Sequence, residues 1–108
     1  MDNTGLKSSV IEAIRSVFAK FPEIETVILY GSRAKGNFKN GSDIDLTLKL
    51  VPEATASLAF LFAVQEALDE LDLIYTIDLS LFDQIENPNL IDHIERVGKV
   101  FYQANVKN

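Results

Sequence analysis

Two short stretches carry residues whose types and spacing could do chemistry. They are Gly31-Ser32-Arg33-Ala34-Lys35-Gly36 and, after a polar loop, Ser42-Asp43-Ile44-Asp45-Leu46. An apolar run, Thr26 to Tyr30, feeds directly into Gly31. Its crowding of β-branched and large apolar residues, stopped by a glycine, predicts a strand. A Gly-Ser pair there lets backbone N–H groups and one hydroxyl approach a phosphate closely, and oriented N–H groups at a turn are a ready anion site. Asp43 and Asp45, spaced i, i+2, project from one face of the strand that follows. A phosphate cradle beside paired carboxylates able to hold a metal ion is what phosphoryl or nucleotidyl transfer requires.

Two other motifs fit these residues less well. Gly31 and Gly36 are spaced as in a P-loop, but that motif continues with Lys and then Ser or Thr. Here Asn37 and Phe38 follow, so the main charge contact to the phosphates is missing. An EF-hand opening at Asp43 would need Gly at its sixth position and Glu at its twelfth. Those positions hold Leu48 and Ala54.

The net charge of −6 argues against holding nucleic acid by general electrostatics. From Gly31 to Gly41, however, the basic residues Arg33, Lys35 and Lys39 stand without an acidic one. A basic loop in an acidic protein suits a small polyanion such as a nucleoside triphosphate. With no cysteine, disulfides and thiolate metal sites are ruled out. Nothing resembles a signal peptide, and the apolar stretch Leu58 to Val64 is too short to span a bilayer, so no membrane association and a cytoplasmic setting are expected.

The length of 108 residues suits one domain, 1–108, burying roughly two thirds of its unfolded surface. Leu6, Val10, Ile14, Val17, Phe18 and Phe21 recur at helical spacing, predicting a helix over 4–21 capped by Asn3 or Thr4 and stopped by Pro22. The first strand covers 26–30, a short helical turn Ser32–Lys35, and the second strand 43–50. In that second strand Asp43, Asp45, Thr47 and Lys49 share one face, and Ile44, Leu46, Leu48 and Leu50 the other, core-facing one. A second long helix is predicted over 54–72, with Phe60, Leu61, Val64, Ala67, Leu68 and Leu71 on its core arc. Leu58 and Phe62 fall on the opposite side, where they either meet a partner or tuck under a neighbouring segment.

Leu73 to Leu81 predicts a third strand, with Asp78 on its more polar face. If it neighbours the second strand, the helical crossover makes the pair parallel and gathers three carboxylates on one side of the sheet. Asn87-Pro88 starts a last helix with the stripe Leu90, Ile91, Ile94 and Val97, and Gly98 suits its C-terminal cap. Val100 to Tyr102 adds a short strand, and the polar tail from Gln103 is expected to fray. His93 reads as a boundary histidine, because no second ligand lies at metal spacing. Tyr30 reads as packing, with stacking on a base the alternative.

Gly31-Ser32, ten intervening residues, Asp43-Ile44-Asp45 and the later Asp78 together resemble the nucleotidyltransferases of the DNA polymerase β-like superfamily. The likeness is greatest to the minimal nucleotidyltransferases (MNT proteins), whose Gly-Ser-x-Ala-Arg-Gly and Ser-Asp-x-Asp-Leu stretches are matched over sixteen positions, Gly31 to Leu46. Lys35 departs from the common arginine, keeping the charge but losing bidentate geometry.

The resemblance implies an α/β (α+β) fold: a small mixed sheet of three to four strands with helices packed on one face. It implies Mg²⁺ and ATP, with Asp43 and Asp45 as metal ligands and Asp78 as a third ligand or as the general base. Gly31, Ser32, Arg33, Lys35 and Ser42 would bind the nucleotide. It further implies a HEPN-domain partner, an RNase toxin silenced when AMP is moved from ATP onto one of its tyrosines, with Leu58 and Phe62 as part of the partner contact. The alternative is an antitoxin that neutralises its partner by contact alone. Self-association, and transfer to a small molecule or an RNA end, stay open.

Overall fold

The computed structural model describes residues 1–104. Strands β1 (Ile24–Tyr30), β2 (Ile44–Leu50), β3 (Ile77–Leu81) and β4 (Lys99–Gln103) form one mixed sheet in the order β3-β2-β1-β4. β1 is antiparallel to β2 and β4, whereas β2 and β3 run parallel. A parallel pair needs a long return path, and α3 (Leu58–Asp69) supplies it. The expected neighbouring of the second and third strands therefore holds.

Strand alternation divides the sheet into two faces. Val27, Leu29, Ile44, Leu46, Leu48, Ile77, Leu79 and Leu81 are buried in the core. Ile11, Ile14, Val17 and Phe18 of α1 (Ser8–Phe18) and Val64 and Leu68 of α3 close over them. Phe18 is fully buried with its ring 6.4 Å from Phe101, edge-on, and Phe21 meets Phe60 at 5.8 Å, tying the end of α1 to α3. The helices α1 and α3 thus cover one face; the expected one-sided layer is broken by the last helix, whose His93 and following Gly98 meet Tyr30 and Ile28 on the other. The last long helix, α4 (Pro88–Val97), packs against β1 where Tyr30 alternates with the core residue Leu29. Its N-cap is Asn87, whose side chain accepts from the N–H groups of Asn89 and Leu90 at 2.9 and 3.4 Å.

Several boundaries shift for identifiable reasons. α1 begins at Ser8, not residue 4: Thr4 is fully buried and its carbonyl accepts from Arg33, so it caps nothing. α3 starts at Leu58 because Ser57 Oγ accepts from the Phe60 N–H at 3.1 Å, a cap the helical periodicity alone does not reveal. β3 begins only at Ile77. Leu73 to Thr76 stay outside the strand, with Ile74 exposed and Tyr75 drawn onto Arg33. Gly98 does close α4, but in an extended conformation, and it is required for space: a Cβ would run into Ile94 O and Ile28 Cγ2. Of the polar tail, Gln103 lies in β4 and the Ala104 N–H donates to Glu25 O at 2.8 Å; residues 105–108 lie outside the described residues.

The loop between β1 and β2 carries the short helix α2 (Ser32–Lys35) and is braced from within. Arg33 is only 2% exposed. Its Nη1 donates to Thr4 O at 2.7 Å and its Nε to Ser42 O at 3.1 Å. The guanidinium carbon lies 5.1 Å from the Phe38 ring centroid and 5.0 Å from that of Tyr75. Arg33, expected at the phosphates, is here buried, with Nε and Nη1 on backbone carbonyls and its charge between two aromatic faces. Replacing it strands buried carbonyls, so Arg33→Ala should cost about 2–4 kcal/mol in urea unfolding. Arg33→Lys should recover under half of that loss. An unchanged unfolding midpoint with weakened nucleotide binding would return Arg33 to the phosphates.

Candidate active site

The site grows from one end of three neighbouring strands, the end of β1 and the starts of β2 and β3. Tyr30 faces Asp45 across the β1–β2 ladder, and Asp45 faces Asp78 across the β2–β3 ladder. Because Ile44, Leu46, Ile77 and Leu79 are buried in the core, the two aspartates between them project to the other face. Asp43 lies one residue before β2 and is exposed, as is Asp78, while Asp45 is half-buried. The three carboxylates are thus brought to one end of the sheet on its open side.

Gly31 abuts this row. Its φ of 75° and ψ of −158° lie where residues with a Cβ are strained, and a Cβ would collide with Asp45 Oδ2. Glycine is needed here twice over, for the turn and for the close approach to the carboxylate. Its carbonyl accepts from the Lys35 N–H at 3.1 Å, opening α2 with half-exposed Ser32 at the first position. Ser42 shapes the loop instead of facing outward: its Oγ accepts from the Lys39 N–H at 2.8 Å and its carbonyl from Arg33. Lys35 is exposed and lines a hollow of about 410 Å³ with Asn3, Phe38 and Lys99, apart from the aspartates.

Crowding of like charge is visible in Asp45. Burial pushes its carboxyl above the ordinary aspartate range, the negative charges of Asp78 and then Asp43 push it further, and His93 opposes them. Burial also raises the Tyr30 phenol; a hydrogen bond with Ser80 works against that, and Asp45 and Asp78 add to it. Among the described residues, no three acidic or imidazole side chains stand close enough to hold a metal ion by themselves. Carboxylates near enough to perturb one another, yet short of a closed cage, suit Mg²⁺. That ion commonly takes one or two carboxylates and completes its shell with phosphate oxygens and water.

His93 belongs to this site although its sequence context gives no sign of it. Its Nε2 accepts from the Gly31 N–H at 3.1 Å, and its ring stands edge-on to Tyr30 at 6.2 Å. Tyr30 is 9% exposed and packs against that ring, which agrees with packing over base stacking. Leu58 and Phe62, by contrast, are 61% and 64% exposed on α3, so neither tucks under a neighbour.

Comparison with known proteins agrees with this fold. Residues 12–107 match the family described as polymerase beta, nucleotidyltransferase. Among curated proteins none matches the sequence. A chain in a crystal structure of a toxin–antitoxin with AMP-PNP superposes with a TM-score of 0.68 at 20% identity, covering 87% of this chain and 73% of that one. A chain of the MntA-HepT toxin–antitoxin gives 0.64 at 17% identity, covering 91% and 74%. A chain of the tri-AMPylated Shewanella oneidensis HEPN toxin in complex with MNT antitoxin gives 0.56 at 18%, covering 94% and 71%. The fold is shared with these complexes, and the family match extends from the middle of α1 past the end of β4. The chain belongs to the polymerase beta nucleotidyltransferase family.

Proposed function

We propose that this protein is an MNT antitoxin that transfers AMP from ATP, with Mg²⁺, to a tyrosine of a HEPN-domain toxin. The observation that carries the reading is the Asp45–Asp78 pairing beside the Gly31 turn in a chain of this family. Support for the donor and the acceptor comes from the similar complexes, one with AMP-PNP and one with an AMPylated HEPN toxin. Asp43 and Asp45 would hold Mg²⁺, which when bound offsets the charge of the triphosphate and of the attacking oxygen. Ser32, through its hydroxyl and its N–H on the turn that Gly31 sets, holds the phosphates. The acceptor hydroxyl oxygen bonds to the α-phosphorus, the bond to the β-phosphate oxygen breaks, and pyrophosphate leaves. Asp78, the most exposed strand carboxylate of the row, takes the hydroxyl proton or shares the metal.

A second reading, neutralisation by contact alone, is favoured by the exposed Leu58 and Phe62 one turn apart on α3. Mass spectrometry of the co-expressed pair separates the two. The first reading expects AMP masses added to the partner tyrosine, and a rate lowered at least about a hundredfold in Asp45→Asn. A partner that stays unmodified yet silenced, and is released by Leu58→Glu with Phe62→Glu, would establish the second.

The raised Asp45 carboxyl also predicts a stability effect. Its folded state binds the proton more tightly than the unfolded chain does, so ionisation costs the fold stability as pH rises through and above the ordinary aspartate range. Without divalent metal, Asp45→Asn should therefore unfold a few degrees higher than the parent at neutral pH. The gain should vanish below the ordinary aspartate range, and added Mg²⁺ with ATP should stabilise only the parent. Thermal unfolding across pH measures this; equal midpoints at neutral pH would show that Asp45 is not strained.

A further inference from the structure

We propose that His93 is a positioning residue for the nucleotide, fixing the Gly31 turn that presents Ser32 to the phosphates; the inference rests on the nucleotidyl-transfer reading above. The last β1–β2 pair is Tyr30 with Asp45, and the last β1–β4 pair is Leu29 with Lys99. The Gly31 N–H therefore lies just past both ladders, where no strand carbonyl takes it. At a part-buried position beside a carboxylate, that donor would be costly to leave unpaired. His93 Nε2 accepts it at 3.1 Å. With the Gly31 carbonyl taken by the Lys35 N–H at 3.1 Å and its Cα against Asp45, the residue is held on three sides.

His93 is itself held in place. Its ring stands edge-on to Tyr30, its neighbour Ile94 is 3% exposed, and α4 reaches β1 closely because Gly98 leaves room for Ile28. The acceptor is also of the right charge. A carboxylate in its place would accept the same N–H but add negative charge beside Asp43, Asp45 and an incoming triphosphate. An imidazole accepting through Nε2 fixes the turn without adding negative charge beside the substrate. Nothing in the Gly-Ser or Asp-x-Asp motif contains this residue, since it lies 62 positions beyond Gly31.

The test compares His93→Leu with His93→Gln. Both remove the ring and its contact with Tyr30, but Gln carries an acceptor oxygen at about the reach of Nε2. AMP transfer to the co-expressed partner gives KM for ATP and kcat, and calorimetry gives Mg·ATP affinity on the same proteins. His93→Leu should raise KM and Kd for ATP about tenfold, the order of one lost hydrogen bond, with a smaller change in kcat. His93→Gln should restore most of that loss. Parental affinity in the Leu variant overturns the inference, and so does tighter binding, which would mean that His93 competes with phosphate for the N–H. A Gln variant as weak as Leu also overturns it, assigning the effect to ring packing. Parent protein that binds ATP but transfers no AMP overturns the reaction while the affinity comparison still decides His93; parent protein that binds no ATP overturns both.

Discussion

The parallel pairing of β2 with β3 is the constraint on which the site depends, because it sets Asp45 beside Asp78. Neighbouring like charges on adjacent strands repel, though solvent at the exposed Asp78 weakens the effect. On the opposite face the same register packs Ile44 against Ile77, Leu46 against Leu79 and Leu48 against Leu81, all buried. Each such side chain contributes about 1.5–3 kcal/mol on burial. The apolar face therefore decides the register, and the carboxylates are carried with it. A slip by one residue would relieve the repulsion only by turning the whole leucine set to solvent. The site keeps its unfavourable charge because the core cannot release it.

The same logic divides the basic residues of the loop. Arg33 and Lys35 are two positions apart and, on charge alone, interchangeable. α2 is one turn long, so its residues point in different directions, and Arg33 turns inward to Thr4 O and Ser42 O. The guanidinium reaches two carbonyls at once and tolerates two ring faces, which an ammonium does less well. Holding Ser42 from within the loop fixes where β2 begins, and so where Asp43 and Asp45 stand. A residue that reads as a phosphate ligand instead braces the backbone that carries Asp43 and Asp45.

What could be read from the sequence was what depends on short spacing. The alternation of Asp45, Leu46, Thr47 and Leu48 assigns faces without knowledge of any partner strand, and Asn87-Pro88 announces its helix locally. The Gly31 turn was legible because glycine before Ser32 and after an apolar run has few other uses. Features set by a distant partner were not legible. Tyr75 lies in an apolar, alternating run that reads as strand, yet the Arg33 cation draws it out of the sheet. His93 sits on an amphipathic helix like any boundary residue, and only the packing of α4 on β1 brings it to Gly31. Thr4 looks like a helix cap until Arg33 takes its carbonyl.

The two faces of the sheet also separate the two ways this protein could act on a partner. The carboxylates stand on the open face, whereas α3, with Leu58 and Phe62 pointing away from the core, lies on the covered one. A partner gripping α3 by its outer side would thus have to reach around an edge of the sheet to present a hydroxyl to Asp78. Of the two edges, β4 lies beyond β1 and is flanked by α1, while β3 is the outer strand next to the site itself. An acceptor segment approaching over β3 would meet Asp78 first, then Asp45, and last the turn at Gly31. That order is the one the proposed transfer would need, with Asp78 nearest the entering hydroxyl and Ser32 deepest.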